Sequence, residues 1–200
     1  MKKQQILFIN WWESRENYKN YIEYLEKLEY NPFEIKAMKW RYTFTEDLWE
    51  KFFVLNPQMP NKDFASYDEW KIMFEKTFKY LEDNIILIWH SLGATFLTKY
   101  LIENNFPVSI KKIILIAWAT KDSKNEVLWD FTFDKTSKEL KKYENKIILY
   151  HSKDDPVVPF YDLNYYKQII PNAEYNIFEN KGHFIEEKFP ELIERLKEIK

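Results

Sequence analysis

The chain has 200 residues, enough for one domain with a substantial core and too few for two comfortable ones. Hydrophobic residues make up 46% and aromatics 19%, which excludes a disordered chain. A net charge of −2, with 30 basic and 32 acidic residues interspersed, lacks the basic face of a nucleic-acid binder. The absence of cysteine excludes disulfides, thiol nucleophiles and thiolate zinc sites.

In chain order, "MKKQQILFINWWES" has too brief an apolar run for a secretory signal, and "ILFIN" (6–10) reads as a buried strand. Tyr18, Tyr21, Ile22, Leu25 and Leu28 recur at steps of three and four, predicting a helix over 16–30. A weaker strand is predicted in "FEIKAMKW" (33–40), while 45–66, with Pro57 and Pro60, gives no clear element. Trp70, Met73, Phe74, Phe78 and Leu81 predict a helix over 67–83. Strands follow at "IILIW" (85–89), "IILIAWA" (113–119), "IILYHS" (147–152) and "EYNIF" (174–178). Helical spacing fills 96–105, 161–170 and 187–200. No apolar run approaches a membrane span, so a soluble, cytoplasmic protein without membrane association is expected. Strands alternating with helices predict a single α/β domain over 1–200. Its three layers would be a mostly parallel sheet flanked by helices, with right-handed crossovers.

Only two glycines occur, Gly93 and Gly182, and a chain so sparing of glycine should keep it where backbone geometry leaves no substitute. Gly93 lies in "IWHSLGAT" (88–95), two residues after Ser91. This stretch resembles the Gly-x-Ser-x-Gly turn between a strand and a helix that lifts a serine hydroxyl above a sheet. Trp89 stands where the first glycine belongs, and the small residues Gly93, Ala94 and Thr95 are expected to make room instead.

A hydroxyl needs a base to act as a nucleophile. Of three histidines, His90 adjoins the serine on the strand and suits packing or a backbone hydrogen bond. His151 ends a strand and reads as structural. His183, in "NKGHF" after the last strand, is the candidate base. The imidazole needs a carboxylate to orient it, and "HSKDDPVVPF" (151–160) offers Asp154 and Asp155, one of which suits a cap or turn. Serine, then aspartate, then histidine is the chain order of α/β-hydrolases.

On these residues the chain resembles the α/β-hydrolase superfamily over nearly its whole length. The closer likeness is to the small cap-less branch that includes retinoblastoma-binding protein 9 and bacterial serine hydrolases. The motifs carrying it are "WHSLGA", "SKDDPVVP", "GHF" and the aromatic stretch "FTFDKTSKELKKY" (131–143). The resemblance implies a serine hydrolase of the carboxylesterase kind that cleaves small esters, thioesters or activated amides without metal or cofactor. It implies Ser91 as nucleophile, His183 as base and Asp155 rather than Asp154 as the acid. It also implies an oxyanion hole from the N–H groups of Leu92 and Trp11, with Asn10 and Trp12 as alternatives to Trp11. The first loop, "INWWES", departs from its relatives in having no glycine.

The short interval between "IILIAWA" and "IILYHS" leaves no room for a large cap. Trp12, Trp118, Trp129, Phe131 and Phe160 flank strand ends and are candidates to line an acyl pocket with Trp11, or else belong to the core. The rival reading keeps the scaffold, loses catalysis and uses the tryptophan-rich rim for a protein partner. A haloalkane or epoxide hydrolase is excluded, because its nucleophile would be an aspartate at position 91.

Overall fold

A computed structural model of the chain describes residues 3–10, 13–29, 31, 39–120, 123, 127–133 and 138–199. Among these residues six strands form one sheet: β1 (Gln4–Ile9), β2 (Phe52–Leu55), β3 (Ile85–His90), β4 (Ile110–Ile116), β5 (Ile147–Ser152) and β6 (Glu174–Phe178). Their order is β2-β1-β3-β4-β5-β6, and every neighbouring pair is parallel. Helices α1 (Tyr18–Lys27), α2 (Trp40–Leu48), α3 (Tyr67–Glu75), α4 (Leu92–Glu103), α5 (Lys138–Lys141), α6 (Asp162–Ile169) and α7 (Pro190–Glu198) complete the fold.

Alternation along the strands sorts the core into two layers. Leu7, Ile9, Leu87 and Trp89 pack with Trp70 and Phe74 of α3, Leu97 of α4 and Leu163 of α6. Ile6, Phe8, Ile86 and Ile88 face the other way, against Trp40, Phe44 and Leu48 of α2 and Leu192 and Leu196 of α7. A sheet buried on both faces explains why its strands are apolar runs rather than alternating ones. Between β4 and β5 the described residues hold only two 3-10 turns and the one-turn α5, with no cap domain. No helix of the described residues is long and apolar enough to cross a membrane.

Several elements differ from the sequence expectation. The weak strand at 33–40 lies outside the described residues except at its end, where Trp40 opens a helix. The segment without a clear element holds the rest of α2 and the edge strand β2, an apolar run of only four residues whose Phe53 is exposed. The helix expected over 67–83 stops at Glu75, where the Thr77 hydroxyl donates to the Phe74 carbonyl. The strand expected at 113–119 begins at Ile110 and ends at Ile116, because Ala117 at φ 47° turns the chain out of the sheet.

This strand order has a switch point. From β1 the chain crosses to β2 on one side, then to β3 on the other. In open parallel sheets, ligands bind at the carboxyl ends of the strands flanking such a point. Here those ends are Asn10, after β1, and Ser91, after β3.

Candidate active site

Ser91 sits between β3 and α4 with φ 53° and ψ −125°, a conformation that costs a residue with a side chain about 1–3 kcal/mol. Its N–H donates to the Ile116 carbonyl at 2.9 Å, tying the turn to β4. Gly93 explains how the turn stays tight. A Cβ there would lie 3.2 Å from the Asn10 carbonyl oxygen, so the missing side chain lets α4 approach the end of β1.

Trp89 is accommodated differently from the expectation that small residues after the serine compensate for it. Its ring leaves the turn, stacks on Phe96 at 5.4 Å and meets Phe74 edge-on at 5.2 Å in the α3–α4 layer. The side chain at position 89 points into a helix layer, so no glycine is needed there.

After β5, the two aspartates divide two tasks. Asp155 accepts from the N–H groups of Val157 and Val158 at 2.8 and 2.9 Å through Oδ1. Its carboxylate also faces His183 Nδ1, at 3.0 Å through Oδ1 and 2.9 Å through Oδ2. Asp154 instead accepts from the Ser152 hydroxyl and the Gly182 N–H, tying the loop after β6 to the loop after β5. Those two bonds, the hydroxyl's first, hold its carboxyl below the usual carboxylate range.

His183 closes the arrangement, with Nε2 2.9 Å from Ser91 Oγ. With Nδ1–H donating to Asp155, Nε2 is left to accept the serine proton. The backbone on both sides of His183 is left-handed, φ 51° at Gly182 and 52° at Phe184. Gly182 has nothing within 4 Å of its missing Cβ, so it serves conformation where Gly93 serves space. Two donors beneath the loop hold it in place. His90 Nε2–H donates to the His183 carbonyl at 2.9 Å, and Trp40 Nε1–H donates to the Phe184 carbonyl at 2.8 Å. Burial, reinforced by the nearby Arg41 charge, pushes the His90 imidazolium far down, so the ring stays neutral.

A family model described as Serine hydrolase matches residues 36–196. The chain belongs to the serine hydrolase family. The protein is therefore a hydrolase of the α/β-hydrolase superfamily. Among solved structures, the ydeN gene product of B. subtilis is similar with a TM-score of 0.71 and 18% identity, covering 98% of this chain and 97% of that one. A YdeN-like hydrolase from Pectobacterium atrosepticum is similar with a TM-score of 0.65 and 14% identity, covering 98% and 90%. An esterase from Exiguobacterium antarcticum gives a TM-score of 0.58 and 15% identity, covering 97% and 90%. At these identities the likeness is one of fold. No curated protein matches the sequence.

The other residues singled out in this serine hydrolase divide by burial. Leu92 opens α4 directly after Ser91, so its N–H is a first-turn donor that has no partner within the helix. Trp11 and Trp12 lie outside the described residues. Trp118 and Phe131 are core residues, the alternative to a pocket lining that the sequence left open for them. Trp118 is fully buried, its ring 3.9 Å from that of Tyr166 and nearly parallel to it. Phe131 is equally buried, edge-on to Trp70 at 5.2 Å. Trp129 is exposed and stacks on Phe64, while Phe160 is half-buried with its ring 5.7 Å from that of His151. His151 is itself buried, which pushes its imidazolium down. Trp40 and Ser152 escaped the sequence reading, because each acts through a contact with a chain segment more than 25 residues away.

Proposed function

We propose that this serine hydrolase cleaves small ester, thioester or activated amide substrates, with carboxylesterase-like activity, through an acyl-serine intermediate. One observation carries the reading: Ser91 Oγ, His183 Nε2 and the Asp155 carboxylate form one continuous hydrogen-bonded line. Ser91 Oγ attacks the acyl carbonyl while its proton passes to His183 Nε2. The developing imidazolium is held by the Asp155 carboxylate. The carbonyl oxygen, now negative, takes the Leu92 N–H and a second donor from the first loop, which the family resemblance gives as Trp11 with Asn10 and Trp12 as alternatives. His183 then returns the proton to the departing alcohol, thiol or amine. Water, deprotonated by the same imidazole, attacks the acyl-serine and releases the acid and the free hydroxyl.

The strained backbone at Ser91 fits this role, since such strain persists where a side chain must be aimed. A fluorophosphonate probe tests the proposal. Labelling of the wild type that disappears in Ser91→Ala is the expected result. A folded, unlabelled wild type that also fails to hydrolyse nitrophenyl acetate would leave the scaffold as a protein-binding module.

A further inference from the structure

Beside the switch point, the carboxyl edge of the sheet holds a cavity of about 200 Å³ lined by Asn10, Arg41, Tyr42, Asn56, Pro57 and Gln58. Asn10 follows β1 and Asn56 follows β2, while Arg41 lies in the first turn of α2. Ile9 pairs with Trp89 in the parallel register, so Asn10 is level with His90, one residue before Ser91. The Asn10 carbonyl oxygen is also the atom for which Gly93 leaves room, so the cavity adjoins the nucleophile turn through that residue.

Its chemistry is distinctive. Arg41 is only 6% exposed, and among the described lining residues it alone carries a charge. The remaining polar groups are three carboxamides and a phenol, all able to donate. Burial pulls the Arg41 guanidinium below its ordinary value, opposed by its hydrogen bond to the Tyr42 side chain, which occupies only part of a five-donor fork. A planar fork of N–H donors matches two coplanar oxygens, and a single positive charge matches a single negative one. A phosphate dianion would call for a second cation.

We propose that this cavity is a subsite for a carboxylate carried by the substrate, so that the enzyme takes acyl groups ending in a negative charge. The inference rests on the reading of Ser91 as nucleophile. It is tested both with and without catalysis.

Without catalysis, glutarate is titrated calorimetrically into the Ser91→Ala protein. Adding Arg41→Met should weaken binding at least tenfold, and Arg41→Lys, which keeps the charge but loses the fork, should weaken it several-fold. Thermal melts establish that each variant is folded, and Arg41→Lys carries the test if Arg41→Met is not. Absent glutarate binding, or binding unmoved by the folded variants, overturns the proposal. With catalysis, two esters of equal acyl length are compared, one ending in a carboxylate and one in its methyl ester. The ratio of kcat/KM for the charged over the neutral ester should exceed one and fall at least tenfold in the variants. An unchanged ratio overturns the subsite. Glutarate binding that depends on Arg41, in a protein whose wild type hydrolyses neither ester, would instead count against the nucleophile.

Discussion

His90 and His183 are joined by a hydrogen bond from the imidazole Nε2–H of one to the main-chain carbonyl of the other, 2.9 Å long and wholly buried. The residue before the candidate nucleophile thus holds the backbone of the candidate base. Together with Trp40, it makes the Ser91–His183 distance a property of packed elements rather than of a loop.

Replacing His90 with Phe keeps the ring volume and leaves the His183 carbonyl without this donor. Losing a buried partner costs about 1–3 kcal/mol. We expect kcat for nitrophenyl ester hydrolysis to fall about tenfold or more with KM little changed, and His90→Gln to recover part of it. Equal loss in both variants would mean the ring's packing, not its N–H, matters.

The two aspartates should separate cleanly. Asp155→Asn removes the acceptor that sets the His183 tautomer, and kcat should drop about a thousandfold or more. Asp154→Asn loosens the tie to Gly182. Its kcat should fall far less, within about tenfold, with a lower Tm. Steady-state kinetics and thermal melts on both variants check the division.

The two glycines predict different failures. Gly93→Ala places a methyl 3.2 Å from a backbone carbonyl, so α4 must shift and overpacking costs about 1–3 kcal/mol. Fluorophosphonate labelling should slow with it, because Ser91 moves too. Gly182→Ala meets open space but a left-handed φ of 51°, at about 1–2 kcal/mol. Urea unfolding reads both costs.

Stability should decline in mild acid. His90 and His151 are both depressed, burial being the largest cause for each. An unfolded chain takes up their protons near the ordinary value of 6.5, while the native chain does not. Their contribution is complete above that pH and is lost as pH falls through it, at up to about 1.4 kcal/mol per pH unit for each ring. Urea midpoints at pH 7.5, 6.5 and 5.5 should fall in order, and His151→Phe should flatten the slope.

The inner strand runs were legible because a sheet covered on both faces demands continuous apolar sequence, and β3 and β5 lie where those runs predict. The half-buried edge strand β6 was legible from Tyr175, Ile177 and Phe178. β2 was not, since its apolar run is only four residues long and lies at an edge, in a segment that Pro57 and Pro60 make hard to assign. The serine, the histidine and the aspartate pair were legible for a local reason. A strained turn, a left-handed glycine and a polar loop at a strand end each leave a mark within a few residues.

Local sequence thus determined the parallel α/β architecture and the three segments that meet. The motif resemblance singled out Asp155; only the tertiary structure decided that Trp118 and Phe131 belong to the core, and that Trp40, His90 and Arg41 surround the site. Those outcomes depend on contacts between residues far apart in the chain. An imidazole's acceptor and an indole's partner are set by what packs beside them, and no spacing along the chain records that.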